Sequence, residues 1–542
     1  MLSLIETTPI PDQKPGTSGL RKKVREFQQP HYLENFVQAI FDVVERPAEA
    51  TLVLGGDGRY YNRNAIRIII RMAAANGYAR LIIGQGGLLS TPAVSHLIRK
   101  YGASGGIILS ASHNPGGPDA DFGIKYNGAN GGPATEDVTQ AIYARTLEID
   151  RYRIEDETEC DIDCIGAQSF AGMTIEIVDP VADYAELMAE LFDFDAIRGA
   201  VGDGLTLAFD AMHAITGPYA TEIFENRLGF AKGTVLRGEP LEDFGGLHPD
   251  PNLVHAKALY DRMMRSDAPE IGAASDGDGD RNLIIGRECF VTPSDSLAVL
   301  SANAHHAPAY TGGIVGIARS MPTSAAADRV AAARDIACHE TPTGWKFFGS
   351  LLDAEKVTIC GEESAGTGSD HVREKDGIWA VLLWLNILAV RKMSVAAVMA
   401  DHWQQFGRNY YARHDYEGID SERADALIAD LATRLPELPE KQIGCCVIER
   451  ADNFSYTDPV DGSHSADQGL RIFLRGGDRI VVRLSGTGTS GATLRVYLDR
   501  YEAPEGDLTM ERGAALSNLT AAAQKLLKIA EYTGRTKPDV IT

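Results

Sequence analysis

Short apolar runs alternate along the chain with Ala-rich amphipathic stretches, and the order repeats. LVLGGDGR (52–59) precedes NAIRIIIRMAAANG (64–77), LTLAFDAMH (205–213) precedes GPYATEIFENRLG (217–229), and GIVGIARSMP (313–322) precedes SAAADRVAAARDI (324–336). A β-rich run followed by a helical one, three times over, predicts βαβ units with largely parallel sheets. Each region then carries a later apolar strand that ends in a polar, glycine-containing loop: IILSASHNPGG (107–117), IGAASDGDGDR (271–281) and VTICGEESAG (357–366). The carboxyl ends of strands are where open α/β sheets bind ligands. RIVVRLSGTGTSGATLRVYLD (479–499) reads instead as strand, Gly-rich loop, strand, and predicts a fourth unit of α+β type. The long apolar segment IWAVLLWLNILAV (378–390) contains Asn386 and falls short of the ~20 residues that span a bilayer. A buried helix is expected there.

Composition narrows the function classes. The chain has 542 residues, enough for several domains. Lys plus Arg is 52 and Asp plus Glu is 75, so the net charge is 52 − 75 = −23. That charge argues against broad binding to nucleic acid or an anionic membrane, while leaving room for a local cationic pocket. The seven cysteines form no CxxC pair, which disfavours zinc ribbons and a disulfide framework. The N-terminus lacks the basic-then-apolar pattern of a signal peptide, so a cytoplasmic protein is expected.

Four stretches carry candidate chemistry. In DGDGD, Asp276, Asp278 and Asp280 alternate with glycines and Arg281 follows. Three carboxylates so close repel unless a cation lies among them, and hard oxygen ligands suit Mg²⁺ or Ca²⁺. An EF-hand would need Gly and Glu where Arg281 and Arg287 stand, so that reading fails. In SGTGTSG (485–491), the G-x-G-x-x-G spacing leads into ATLRVYLD, which alternates as a strand rather than opening a dinucleotide-binding helix. A hairpin cradling a phosphate, with Arg483 and Arg495 on its strands, competes there with a plain turn. GEESAG offers Glu362, Glu363 and Ser364 for sugar hydroxyls, or is simply a polar connection. In SASHNPGG, Ser112 is a candidate nucleophile and His113 a candidate partner. Adjacent side chains on an extended chain point apart, however, and the stretch equally suits a turn. Lys125 is a candidate acid/base or phosphate contact.

Together these stretches resemble the α-D-phosphohexomutases, and their phosphoglucomutase branch most closely. The match runs through KPGTSGLRKKV (14–24), SASHNPGGPDADFGIKYNGANGGPA (110–134), DFGGLHPDPN (243–252), DGDGDRN (276–282) and ARSMPTS (318–324). It continues through ETPTGWKFFG (340–349), CGEESAGTGSDHVREKDGIWAVL (360–382) and RLSGTGTSGATLRVY (483–497), and so spans nearly the whole chain in order. The resemblance implies three related mixed-sheet α/β domains (1–178, 179–300, 301–405) and a C-terminal α+β domain (406–542), heart-shaped around a central cleft. It implies reversible interconversion of glucose 1-phosphate and glucose 6-phosphate through a phosphoserine enzyme and glucose 1,6-bisphosphate, by a monomer that takes small sugar phosphates.

The same resemblance assigns roles. Ser112 carries the phosphoryl group and, with Asp276, Asp278 and Asp280, holds one Mg²⁺ per chain. Arg21, His113, Lys125 and Arg281 surround the transferring group, with Lys125 preferred as general acid/base and His113 and Arg21 as rivals. Glu362 and Ser364 grip sugar hydroxyls, Thr343 and Gly344 lie nearby, and Lys375 reaches the sugar rim. Arg483, Ser485, Thr487 and Arg495 bind the non-reacting phosphate. Two departures stand out: Ser110 where the branch often has Thr, and Ala365 where it usually has Phe. A phosphomonoester hydrolase, a silent binding protein on the same fold, and mannose or glucosamine phosphate specificity are the alternatives.

Overall fold

The computed structural model describes every residue except 1, 17, 46, 48, 157–159 and 486–490. The first sheet has seven strands in the order Leu20–Lys23, Asp121–Gly128, Gly105–Leu109, Thr51–Gly56, Arg80–Leu88, Met173–Val178 and Gly166–Phe170. Gly105–Leu109 is buried along its whole length. Ile108 faces one hydrophobic cluster while Ile107 and Leu109 face another. Both faces of the sheet are therefore covered, which is why the strand reads as an unbroken apolar run.

The second sheet runs Val235–Leu236, Leu207–Asp210, Ile271–Ser275, Asn282–Gly286, Cys289–Val291, and the third Ala337–Thr341, Gly316–Ser320, Ile359–Gly361, Thr367–Ser369. The parallel pairing expected from the sequence is only part of each sheet. In all three, the strand bearing the polar loop pairs in parallel on one side. On the other it pairs antiparallel with the strand that returns from its own loop. The internal repeat is thus strand, loop, antiparallel return. A loop bounded by two paired strands is held at both ends.

The C-terminal seven-stranded sheet is antiparallel throughout. The helices Ser421–Arg434 and Arg512–Leu527 contribute Leu427, Leu431, Leu519 and Leu526 to the hydrophobic cluster on its strands. The apolar segment forms the helix Gly377–Arg391, buried from Gly377 through Ala389. Among the described residues no single helix is long and apolar enough to cross a membrane; this helix and Val395–Phe406 meet at a bend of 85°. The expected division at 178 coincides with the end of the strand Met173–Val178, while 405/406 lies inside the last turn of Val395–Phe406 and 300/301 inside the helix Pro293–Asn303. That helix starts where Thr292 caps it and Pro293 opens it, which is the punctuation the boundary would have needed.

The third and fourth units meet at a buried ion cluster. Glu340 Oε1 lies 3.0 Å from both Arg319 and Arg479, and its other oxygen pairs with Arg471. Burial pushes the Glu340 carboxyl up, but the three guanidiniums outweigh it and bring it from 4.5 to about 2. The sign follows: the stabilisation is complete above about pH 4.5 and is lost as pH falls toward 2. Wild type is therefore expected to lose roughly 3 kcal/mol over that window that Glu340→Gln does not lose. Urea midpoints at pH 6, 4 and 3 measure this; parallel pH slopes for the two proteins would refute it.

Candidate active site

The serine loop is held by a polar clamp. Ser112 sits in the left-handed region at φ 53°, a conformation that costs a non-glycine residue about 1–2 kcal/mol. Its backbone is fixed on both sides. Ser112 N–H donates to Ser110 Oγ at 2.7 Å, and Arg59 Nη2 donates to the Ser112 carbonyl at 2.7 Å. Asp57 supports both partners: it accepts the Ser110 hydroxyl at 2.6 Å and both of its oxygens accept from Arg59 Nε. Asp57, Arg59 and Ser110 are all buried. Ser110 is thus explained. Its hydroxyl both accepts and donates, as a threonine hydroxyl would. The turn at Ser112 also has a consequence the sequence reading missed. It brings His113 Nδ1 to 3.4 Å from Ser112 Oγ, although neighbours on an extended chain would diverge.

The DGDGD loop meets this serine directly. Ser112 Oγ donates to Asp276 Oδ2 at 2.8 Å. A Cβ on Gly277 would stand 2.3 Å from the Ser112 carbonyl oxygen, so only glycine lets the two loops touch. Asp276, Asp278 and Asp280 are buried, and one oxygen of each lies within 4.8 Å of the others. Asp276 Oδ1 is committed to the N–H groups of Asp280 and Arg281, and Asp278 Oδ2 accepts from Lys125 Nζ at 2.6 Å and Thr91 Oγ1 at 2.7 Å. Asp278 Oδ1 and Asp280 Oδ1 are buried and have no hydrogen-bond partner among the described residues. Buried carboxylate oxygens left unpaired beside a third carboxylate fit a hard divalent cation.

Charge around the cluster is divided. Burial pushes the Asp276 carboxyl well up, and Asp280 and Asp278 push it further. Asp278 is also disfavoured by burial, yet Lys125 and Thr91 hold it below the usual carboxylate range. Lys125 itself resists the loss of charge that burial favours, because Asp278, Asp280 and Glu374 raise its ammonium. His113 is driven far down, by burial first and then by Arg281 and Arg21. Arg281 pairs with Asp250 at 3.4 Å, and Lys375 Nζ lies 3.2 Å from Asp280 Oδ2. Buried nitrogens Arg21 Nε and Arg281 Nε have no hydrogen-bond partner among the described residues.

The sugar loop comes next. Glu362 Oε1 accepts from Gly344 N at 3.0 Å, and burial raises its carboxyl against the pull of Lys375. Ser364 is half-buried beside it, and Thr343 Oγ1 is buried without a hydrogen-bond partner among the described residues. Ala365, at φ 74°, anchors the loop through its carbonyl, which accepts from Asn282 N at 2.9 Å and Asn282 Nδ2 at 3.1 Å. The loop is held by its backbone, so the missing aromatic ring is not what keeps it in place.

Arg483 and Arg495 stand directly opposite each other on neighbouring strands, with Ser485 two residues on. Like charges in register repel unless an anion lies between them. Among the described residues Arg495 Nε has no hydrogen-bond acceptor, and it lies 4.0 Å from Asp415. This strand face looks toward the sugar loop: Glu363 acts on Arg413 and Tyr497, and Tyr497 also feels Arg483 and Arg495. Thr487 lies outside the described residues. The structure thus gathers Ser112, His113, Lys125, Arg21, Arg281, Lys375 and the three aspartates into one centre. Glu362, Gly344, Thr343 and Ser364 border it, and the arginine pair sits beyond Glu363.

Several members escaped the sequence reading. Asp57 and Arg59 were legible only as the end of a strand, GGDGR. Thr91 opens a helix whose Ser90 cap was unremarked. Glu374, buried and raised to about 7, accepts from Asn127 at 2.9 Å. In sequence the charges Asp370, His371, Arg373, Glu374 and Lys375 read equally as a solvated face or a substrate rim.

Comparison with known proteins identifies the family. Four family signatures match in order: phosphoglucomutase/phosphomannomutase α/β/α domain I over residues 12–153, domain II over 182–288, domain III over 293–406, and the phosphoglucomutase-1 C-terminal domain over 408–539. The phosphoglucomutase of Rhizobium radiobacter is 59% identical over 542 residues, covering all of both chains. Phosphoglucomutase-1 of Oryctolagus cuniculus is 51% identical over 558 residues, covering 99% of each. The open-form crystal structure of Paramecium pp63/parafusin, itself a phosphoglucomutase, superposes with TM-score 0.93 at 47% identity, over all of this chain and 99% of that one. On this evidence the chain belongs to the phosphoglucomutase/phosphomannomutase family.

Proposed function

We propose that the chain is a phosphoglucomutase that interconverts glucose 1-phosphate and glucose 6-phosphate through phosphoserine 112 and glucose 1,6-bisphosphate. The observation that carries this reading is the 2.8 Å bond from Ser112 Oγ to Asp276, beside partnerless carboxylate oxygens and inside a ring of cations. Phosphoryl transfer needs positioning and charge neutralisation above all. Asp276, Asp278, Asp280 and the phosphorylated Ser112 would hold one Mg²⁺. Bound there, it would offset charge on the phosphoryl oxygens.

In the first half-reaction the O6–phosphorus bond forms and the Ser112 Oγ–phosphorus bond breaks, while the hydroxyl proton passes from O6 to Oγ. In the second, the reorientated bisphosphate returns its 1-phosphoryl group: the Ser112 Oγ–phosphorus bond forms, the O1–phosphorus bond breaks, and the Oγ proton passes to O1 of glucose 6-phosphate. Lys125, pinned by Asp278 and kept charged, suits charge stabilisation better than proton abstraction. His113, kept uncharged and 3.4 Å from Oγ, is placed to hydrogen-bond the serine oxygen. Glu362 and Ser364 orient sugar hydroxyls, Lys375 reaches the sugar rim, and Arg483, Ser485, Thr487 and Arg495 cradle the far phosphate in either orientation. The protein acts as a cytoplasmic monomer on small sugar phosphates.

Phosphorus NMR of the protein with Mg²⁺, glucose 1-phosphate and a trace of glucose 1,6-bisphosphate tests this. Glucose 6-phosphate is the expected product, and prior treatment with excess EDTA is expected to suppress it. Inorganic phosphate as the main product would replace the mutase by a hydrolase. An unchanged spectrum would remove glucose phosphates as substrates.

A further inference from the structure

The segment from Ser369 to Asp376 carries Glu374 and Lys375 into the centre, and its own ends are tied together by a chain of buried polar groups. His371 Nε2 lies 3.0 Å from Asp376 Oδ2, and His371 Nδ1 lies 2.8 Å from Ser369 Oγ. Ser369 Oγ is 2.6 Å from Tyr310 OH, which accepts from Trp379 Nε1 at 2.8 Å. Asp376 Oδ1 accepts from Tyr184 OH at 2.6 Å and from Trp379 N at 3.0 Å, capping the helix Gly377–Arg391. The His371 ring stacks on Trp379 at 5.5 Å and 14°.

The proton order in this chain is fixed by its donors. The Trp379 indole can only donate, so Tyr310 accepts there and gives its own proton to Ser369. Ser369 then donates to His371 Nδ1, which leaves His371 with its proton on Nε2, aimed at the Asp376 carboxylate. Every group is satisfied by this one arrangement. The set has the composition of a Ser-His-Asp triad, yet Ser369 and Asp376 are 0% exposed and the His371 side chain 1%, so no substrate reaches it. Its product is position.

We propose that Ser369, His371 and Asp376 are positioning residues that hold the Glu374–Lys375 arm over the aspartate cluster. The His371–Asp376 clasp closes a ring around residues 372–375. From that ring Lys375 reaches Asp280 at 3.2 Å and Glu374 reaches Asn127 at 2.9 Å. The Lys375 stem crosses Gly366 so closely that a Cβ there would lie 2.2 Å from Lys375 Cδ, so the arm has one track. Opening the clasp leaves the arm held by Asp376 N–H on the Thr367 carbonyl at 2.8 Å and Arg373 N–H on Ser95 Oγ at 3.0 Å, with the side that carries Lys375 less restrained, and a displacement of about 1 Å at a reacting centre can cost up to about 100-fold in rate. The inference rests on the reading that Lys375 acts on the substrate.

A double-mutant cycle on kcat/KM for glucose 1-phosphate tests it, with the variants Lys375→Ala, His371→Phe and both together. His371→Phe keeps the stack on Trp379 and removes both hydrogen bonds. Asp376→Asn, which keeps an oxygen for the helix cap, repeats the cycle if the first variant fails to fold. Expected are losses of about 100-fold for Lys375→Ala and 10- to 100-fold for His371→Phe, with the double variant within about threefold of Lys375→Ala alone. Losses that multiply would overturn the inference, as would full activity of His371→Phe. Full activity of Lys375→Ala would instead overturn the role given to Lys375 itself.

Discussion

Replacing Ser112 by Ala is expected to lower turnover by at least about 10⁴-fold while leaving the fold and substrate binding in place. In the proposed reaction Ser112 Oγ is the protein group that carries the phosphoryl between the two sugar hydroxyls, and alanine offers no oxygen in its place. The loss should lie in kcat, because the proposed substrate contacts of Arg483, Arg495 and Glu362 do not involve the serine. Stability should change little. Ser112 Oγ bonds to Asp276 and approaches His113, while the backbone bonds that fix the loop run through Ser112 N and O and survive the substitution. Steady-state rates in the bisphosphate-activated assay, with thermal midpoints beside them, make the measurement. Turnover within tenfold of wild type in a properly folded Ser112→Ala protein would end the covalent reading.

What the sequence made legible follows from how locally each feature is encoded. The three loop-bearing strands were readable because an apolar run that ends at a Gly-rich polar stretch is a short-range signal. The aspartate cluster was readable because alternating Asp and Gly within five residues has few other uses. The antiparallel returns were harder. Asp121–Gly128 begins four residues after Gly117, but nothing in DFGIKYNG states which side of the serine strand it will join. Long-range partners were not legible at all. Thr91 meets Asp278 across 187 positions, and Arg59 meets Ser112 across 53. Each looked like an ordinary helix start or strand end until the fold placed its partner. Lys125 shows the same limit in chemistry. Its candidacy as an acid/base came from its neighbourhood in sequence. Its protonation is decided by Asp278, 153 positions away.

Arg59 yields the second large expected effect. Its guanidinium is fully buried against Asp57, also fully buried, and it further reaches the carbonyls of Ser112 and Asp121 at 2.7 and 2.9 Å. Such a planar fork serves one carboxylate and two carbonyls at once, which an ammonium cannot do. Arg59→Met would strand Asp57 as an unpaired buried charge and is expected to cost about 3–5 kcal/mol. Arg59→Lys separates this stability effect from catalysis, since it keeps a positive charge beside Asp57. In that variant Ser112 loses the bond to its carbonyl while retaining the bond from its N–H to Ser110. With one restraint left, the serine relaxes from φ 53° toward ordinary backbone angles, and Oγ turns away from Asp276. Arg59→Lys is therefore expected to remain folded and to lose about 100-fold in kcat, with KM for glucose 1-phosphate nearly unchanged. The phosphorylation rate of Ser112 by glucose 1,6-bisphosphate, followed in a single turnover, should fall by the same factor, because it depends on the same oxygen. A folded Arg59→Lys protein phosphorylated at the wild-type rate would show that the loop keeps its shape without the clamp.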